Sequence, residues 1–383
     1  MQSNKLLFGS TIGIIGGGQL GRMMATTAKH MGYSIVVLDP TPDCPAAQVA
    51  DQQLVAAYND RDAIVQLTDI CDVITYEFEN VDLEAARYIE ERGLLPQGST
   101  SLKITQDREQ EKNAIVQSSQ PVASFKIVET KLEVQQAIES IGFPAVIKTC
   151  RGGYDGKGQQ KLEALEDMEK AIEFVDVNGR SIVEKWVAFD KEISIIFTRG
   201  HDGDVTFFPI AENTHKDHVL QTTSVPAEIS EKVADKAREA AKSIAETIGV
   251  IGTFAIEMFV DGEAILINEM APRPHNSGHY TIEACNVSQF EQHIRAICGL
   301  PLIDIHFHGA AIMINLLGED VARFMERIDE IGDAHIHMYG KKENKPKRKM
   351  GHVTYIGNEL AKLEQNLVNK RIIHKNQEVI SND

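Results

Sequence analysis

Asn268-Glu269-Met270-Ala271-Pro272-Arg273-Pro274-His275-Asn276-Ser277-Gly278-His279 decides how the rest of this chain is read. Its first residues end an apolar run, Ala264 to Met270, and a second such run, Thr253 to Val260, precedes it across Asp261-Gly262. Asp-Gly between two β-like runs predicts a hairpin. Each run holds one acid, Glu257 or Glu269. A carboxylate in a buried strand is costly unless paired or bound to metal. Two on facing strands suit Mg²⁺, which takes a few carboxylates together with phosphate oxygens. Register decides the geometry: a strict two-residue turn puts Glu257 on the face of Asn268, whereas an extra loop residue or a bulge puts it with Glu269. Two partly exposed acids on opposite faces is the competing reading. Past the strand, a guanidinium, two imidazoles, an amide and a hydroxyl share a rigid turn expected to be exposed. Arg273 in it is a natural clamp for a planar oxyanion such as bicarbonate or a carboxylate.

Upstream of the hairpin the pattern is α/β. Asp107 to Gln117 reads as a charged helix, and Leu132 to Ile141 as an amphipathic helix leading through Gly142 and Pro144 into a strand, Ala145 to Lys148. Then comes Arg151-Gly152-Gly153-Tyr154-Asp155-Gly156-Lys157-Gly158, four glycines among eight residues. Glycines let backbone N–H groups fold over phosphates while Lys148 and Lys157 neutralise their charge. A helix around Ala164 to Phe174, a strand Ser181 to Val187 and a long helix Glu231 to Ile248 complete this part.

The N-terminal stretch from Thr11 alternates strands with helices, including Ser34 to Leu38 and Val73 to Tyr76, as in a doubly wound parallel sheet. Gly16-Gly17-Gly18-Gln19-Leu20-Gly21 fits GxGxxG, and Asp39 ends the next strand where a ribose-binding acid would sit. Three readings are open: an NAD-dependent dehydrogenase, a turn that packs helix on sheet, or a helix N-terminus holding another substrate's polar groups.

The bulk properties narrow the partners. With 383 residues, 43% hydrophobic, the chain fits two or three domains around a shared cleft. A net charge of −17 disfavours nucleic acid, whose phosphates need Lys and Arg. The five cysteines, without a CxxC pair, suggest reduced thiols, and no apolar run is long enough for a bilayer. Within this acidic chain the run Lys341-Lys342 to Lys345-Pro346-Lys347-Arg348-Lys349 stands out as a candidate phosphate site, set in a tail of short strand-like runs.

The order Arg108 to Lys112, Lys148, the glycine loop through Gln159, Glu184-Lys185-Trp186-Val187, Glu192, Glu257 and Asn268-Glu269 resembles the ATP-grasp superfamily. Gly16 to Gly21, Tyr76-Glu77-Phe78-Glu79, Asn268 to His279 and Lys349-Met350-Gly351-His352 resemble, within it, the 5-(carboxyamino)imidazole ribonucleotide synthetase family of purine biosynthesis. The resemblance implies a mixed α/β and α+β fold in three parts: a Rossmann-like domain over 1–105, an ATP-grasp domain over 106–307 with a glycine-loop subdomain over about 121–187, and a β-rich closing domain over 308–383. It implies a cytoplasmic homodimeric ligase that uses ATP and Mg²⁺ to carboxylate 5-aminoimidazole ribonucleotide with bicarbonate, through carboxyphosphate. A relative that activates formate for another purine ribonucleotide is the rival.

By matched position, ATP would meet Arg108, Lys148, Gly153, Tyr154, Asp155, Gly156, Lys157, Gly158, Gln159, Glu184, Lys185, Trp186, Val187, Glu192, His215, Asn268 and Glu269. Glu257 and Glu269 would hold the metal. Arg273, His275 and Asn276 would orient bicarbonate or carboxyphosphate. Gly18, Gln19, Leu20, Glu77 and Tyr154 would surround the ribonucleotide, with Lys341 and Arg348 on its phosphate. Asp155 is the candidate to take a proton from the amine or to orient it.

Overall fold

The computed structural model describes residues 5–153, 157–370 and 372–373. The first sheet is parallel, with β1 (Thr11–Ile15), β2 (Ser34–Leu38), β3 (Gln52–Leu54) and β4 (Val73–Tyr76) in the order β3-β2-β1-β4. Ile12, Ile14, Ile35 and Val37 are fully buried, as strands covered on both faces must be. The second sheet is antiparallel, with β5 (Phe125–Val128), β6 (Ala145–Thr149), β7 (Gln159–Leu162) and β8 (Ser181–Lys185) in the order β5-β8-β6-β7. The glycine loop connects β6 to β7 and therefore hangs from a sheet edge.

Nine strands make the third sheet. They are β9 (Lys191–Arg199), β10 (Val205–Phe207), β11 (Ala211–Lys216), β12 (Val219–Val225), β13 (Gly252–Asp261), β14 (Ala264–Ala271), β15 (Ala310–Leu317), β16 (His335–Met338) and β17 (Lys349–Gly357). Their order is β14-β13-β9-β11-β12-β15-β17-β16, with β10 beside β9. The tail strands thus continue the central sheet through β12 and β15. The helix Glu231–Ile248 packs against this sheet. Ser230 caps its first turn by accepting from the Val233 N–H at 3.3 Å, and Gly249 ends it in the left-handed region. Its inner stripe, Ala237, Ala240, Ala241, Ile244 and Ala245, is fully buried against Ile193, Ile195, Phe197 and Phe254. Small side chains there let helix and sheet approach closely, and each buried Ile or Phe contributes about 1.5–3 kcal/mol.

Two buried side chains join the first sheet to the third. His293 accepts from the Thr253 N–H of β13 at 3.1 Å and lies 2.8 Å from the Thr75 hydroxyl of β4. Gln97 donates to the Pro272 carbonyl at 2.9 Å and also meets Thr75. The residue before Arg273 is thereby tied to the end of the parallel sheet. All five cysteines are buried and free of disulfides.

Candidate functional site

A cleft of about 800 Å³ lies where the three sheets meet. The β13–β14 hairpin supplies one wall, and its register settles the first question raised by the sequence. Gly262 and Glu263 form the two-residue loop between paired Asp261 and Ala264, and Met258 still faces Ile267, but a bulge at Glu257/Met258 then skips Asn268. Glu257 therefore pairs with Glu269. Burial, followed by the charges of Glu269 and Glu192, pushes the Glu257 carboxyl well above the usual carboxylate range. Facing acids of which one, Glu257, is buried and pushed toward neutrality fit a divalent cation. Ligand atoms of Glu192, His215 and Glu257 also lie within 4.8 Å of one another. Glu192 and His215 lie 3.0 Å apart, so this group of ligand atoms adjoins the facing Glu257 and Glu269.

The opposite wall gathers positive charge. Lys148 of β6 donates to Glu184 of β8 at 2.7 Å, and Lys112, from the helix Arg108–Gln117, lies 3.4 Å from the same carboxylate. Burial opposes ionisation of Glu184, but these two lysines overcome it and hold the carboxyl at about 2. Lys112 also donates to the Asn268 carbonyl at 2.8 Å, fixing the bulged residue of the hairpin. Arg108 lies 3.8 Å from Glu269. Gly153, Lys157, Gln159, Lys185, Trp186, Val187, Glu192 and His215 line the same space. Gly158 forms the neck of the glycine loop: a Cβ there would meet the Thr149 hydroxyl at 2.7 Å, and one on Gly153 would meet the Lys157 carbonyl at 2.9 Å. Tyr154, Asp155 and Gly156 lie outside the described residues.

The turn after β14 is not exposed as the sequence suggested; it is packed beneath the cleft. Ser277 and His279 have no exposed surface, and Asn276 is 8% exposed. Arg273 pairs with Glu79 at 2.7 Å and donates to the Pro274 carbonyl at 3.0 Å. Burial, then the charge of Arg273, pushes the His275 ring well below the usual imidazole range. Both polar atoms of the Asn276 amide are buried without a protein partner. Arg273, His275 and Asn276 all face the cleft, and an unsatisfied amide there fits an anion with both acceptor and donor atoms.

At the N-terminus the glycine turn serves its own protein. Glu77 accepts from the Gly18 and Gly21 N–H groups, the latter at 2.6 Å, and Asp39 accepts from the Gly17 N–H at 2.8 Å and the Tyr58 hydroxyl at 2.6 Å. The donors that would cradle a dinucleotide pyrophosphate are engaged by internal carboxylates. Only Gln19 and Leu20 of the turn line the cleft; Gly18 and Glu77 sit behind them, and Glu77 is 8% exposed. Lys341 and Arg348 do not line it either. The Lys341 amine donates to the Lys349 carbonyl at 2.6 Å, and Arg348 donates to the Glu343 carbonyl at 2.8 Å. Lys349 does reach the cleft, as do Glu79, Lys112 and the stacked rings of Phe189 and Phe259, 4.5 Å apart. Sequence reasoning left these unassigned, although Glu79, Lys112 and Lys349 lie inside stretches it singled out. The two phenylalanines carried no signal.

Known proteins resemble the chain along nearly its whole length. Residues 9–106 match the family model described as ribonucleotide synthetase preATP-grasp domain, 113–290 the ATP-grasp domain, and 311–366 the phosphoribosylaminoimidazole carboxylase C-terminal domain. The N5-carboxyaminoimidazole ribonucleotide synthase of Bacillus subtilis is 48% identical over 364 residues, 94% of this chain and 95% of that protein. A crystal structure of an N5-carboxyaminoimidazole ribonucleotide synthetase as its ADP complex superimposes with a TM-score of 0.94 at 46% identity, covering 97% of this chain and 98% of the other. The Aspergillus clavatus enzyme, solved with ADP and 5-aminoimidazole ribonucleotide, gives 0.88 at 30% identity over 94% and 97%.

Proposed function

Because this chain belongs to the N5-carboxyaminoimidazole ribonucleotide synthase family, we propose that its central cleft joins bicarbonate to 5-aminoimidazole ribonucleotide by way of carboxyphosphate. The protein is an ATP-dependent ligase of purine biosynthesis that uses ATP with Mg²⁺ to convert that ribonucleotide to its N5-carboxy derivative. One juxtaposition carries the finer reading: the facing acids Glu257 and Glu269 adjoin a buried turn whose Asn276 amide has no protein partner.

In this reading a bicarbonate oxygen attacks the γ-phosphorus and ADP leaves; the exocyclic amine then attacks the carboxyl carbon, releasing phosphate and one proton. Lys148, Lys157, Arg108 and the glycine loop, Gly153 to Gln159, place and neutralise the triphosphate. Glu184 to Val187 face the adenine, and Glu192 with His215 the ribose. Mg²⁺, when held by Glu257 and Glu269 beside Asn268, would supply charge neutralisation for the β- and γ-phosphates. Arg273, His275 and Asn276 hold the bicarbonate, and Asp155 receives or orients the amine proton. Closure of the cleft keeps water from carboxyphosphate.

The ribonucleotide's ring lies against Gln19, Leu20 and Tyr154, with Gly18 and Glu77 shaping that wall from behind. Lys341 and Arg348 take its phosphate, which requires Arg348 to leave Glu343. The segments 1–105, 106–307 and 308–383 form the three working parts. The protein works as a homodimer in the cytoplasm; no helix among the described residues is long and apolar enough to cross a membrane. With labelled bicarbonate, label should enter the ribonucleotide product one-for-one with ADP formed. Formation of ADP without label in product would overturn the reading.

A further inference from the structure

We propose that Ser277, backed by Ser194 and Gln289, positions His275 as its Nε2–H tautomer, so that a neutral ring presents a fixed hydrogen-bond donor to the oxyanion in the cleft. The inference rests on the reading that Arg273, His275 and Asn276 receive that anion. The backbone N–H of Ser277 points at His275 Nδ1 at 3.3 Å. An amide N–H can only donate, so Nδ1 must carry its lone pair. The Ser277 hydroxyl lies 2.9 Å from the same nitrogen and accepts from the Ser194 hydroxyl at 2.8 Å, so its own proton is available to donate to Nδ1 alongside the backbone N–H. A neutral imidazole whose Nδ1 is an acceptor has its proton on Nε2. The carboxylate oxygen paired with Nε2 is that of Glu257, 3.9 Å away and beyond hydrogen-bond reach.

The backbone around the ring is held with equal care. Gln289, which has no exposed surface, accepts from the His275 N–H at 2.9 Å and donates to the His275 carbonyl at 2.7 Å. That two-way grip fixes the orientation of the Gln289 amide as well. It is possible because residue 278 is glycine: a Cβ there would lie 2.4 Å from Gln289 Oε1 and 2.3 Å from Ile196 Cδ1. Ser194, on β9, is the register partner of Glu257 on β13, so one strand pairing places both the metal-binding acid and the relay to the histidine. A ring held this way stabilises negative charge on bicarbonate or carboxyphosphate by donation alone. It neither brings a positive charge nor exchanges a proton in the step. Ser277 and Gly278 in the diagnostic turn are then positioning residues.

The test uses the full-length protein labelled with ¹⁵N in its histidine rings, the His275 signals being identified by their loss in His275→Gln. At pH 7.5 the parent should show a protonated Nε2 and an unprotonated Nδ1. His275→Gln, whose amide can donate from near the Nε2 position, should retain a kcat about tenfold above that of His275→Asn, whose amide sits near Nδ1. Ser277→Ala adds no bulk and should lower kcat by about tenfold while KM for ATP changes less than about twofold. A protonated Nδ1 in the parent, an asparagine variant as active as the glutamine one, or a Ser277→Ala protein with parental kcat would each overturn the proposal. The ring spectrum needs no turnover, so the parent's tautomer can be read even if ribonucleotide-dependent carboxylation fails. An active parent with the other tautomer would strike this inference alone.

Discussion

Glu257 and Glu269 face each other across a hairpin, Glu257 buried and Glu269 beside Arg108, and the consequences of that arrangement are testable one side chain at a time. Glu269 is the more exposed of the pair and lies 3.8 Å from Arg108, so its substitution disturbs packing little. Glu269→Gln should lower kcat/KM for ATP by roughly a hundredfold, about 3 kcal/mol of transition-state stabilisation. Steady-state phosphate release at saturating ribonucleotide measures it, and parental turnover would remove the metal assignment. His293 gives a second residue-scale test. Burial holds its ring at about 3, far below the 6.5 of an exposed imidazole. The folded state therefore binds fewer protons than the unfolded one between these values, and the contribution of His293 is complete above pH 6.5 and declines on acidification. Lowering the pH from 7.5 to 5.5 should destabilise the parent by about 1.4 kcal/mol more than His293→Gln, read from urea unfolding at both pH values. Equal losses would mean that the ring is not held neutral between β4 and β13.

At the scale of elements, the two acids were legible because an apolar run makes any carboxylate conspicuous, and the Asp261-Gly262 pair announced the hairpin. Their pairing was not, because the bulge at Glu257/Met258 is fixed by tertiary contacts: Lys112 grips the Asn268 carbonyl, and Glu111 accepts from the Met270 N–H at 2.6 Å. The helix Glu231–Ile248 was read with its observed bounds because its alanine stripe is strongly periodic. The central strands β9, β11 and β12 went unread, since runs such as Gln221-Thr222-Thr223-Ser224 look like loop until the sheet buries their hydroxyls. The glycine turn was visible, but its use was not, because the carboxylate that occupies its N–H groups comes from Glu77, more than fifty residues along. A Cβ on Gly18 would lie 2.6 Å from Glu77 Oε1, so the turn must shift to admit one. Gly18→Val should raise KM for 5-aminoimidazole ribonucleotide by about tenfold or more and leave ATP affinity within about twofold. Titration of both ligands checks it; a loss confined to ATP would move the ribonucleotide elsewhere.

Across the whole molecule, the tail reaches back to the first domain. Gln48 donates to the Gly340 carbonyl at 3.0 Å, and Lys342 pairs with Asp43 at 3.0 Å. The basic run thus stands near the glycine turn, though hundreds of residues separate them in sequence, and in a chain of net charge −17 a local group of cations is what an anionic ligand would require. Arg348→Ala should weaken ribonucleotide binding by about 1.5–3 kcal/mol, the scale of a hydrogen bond to a charged group, and barely alter ATP binding. Calorimetry with each ligand decides it, and unchanged ribonucleotide affinity would make Arg348 a surface partner of Glu343. The central claim, that three sheets close one cleft around ATP, bicarbonate and the ribonucleotide, is tested most directly by phosphate release from Mg-ATP with each other substrate added or omitted. Release should be strongly stimulated when 5-aminoimidazole ribonucleotide and bicarbonate are both present, and formate should not replace bicarbonate. Release indifferent to the ribonucleotide, or driven by formate, would contradict the account.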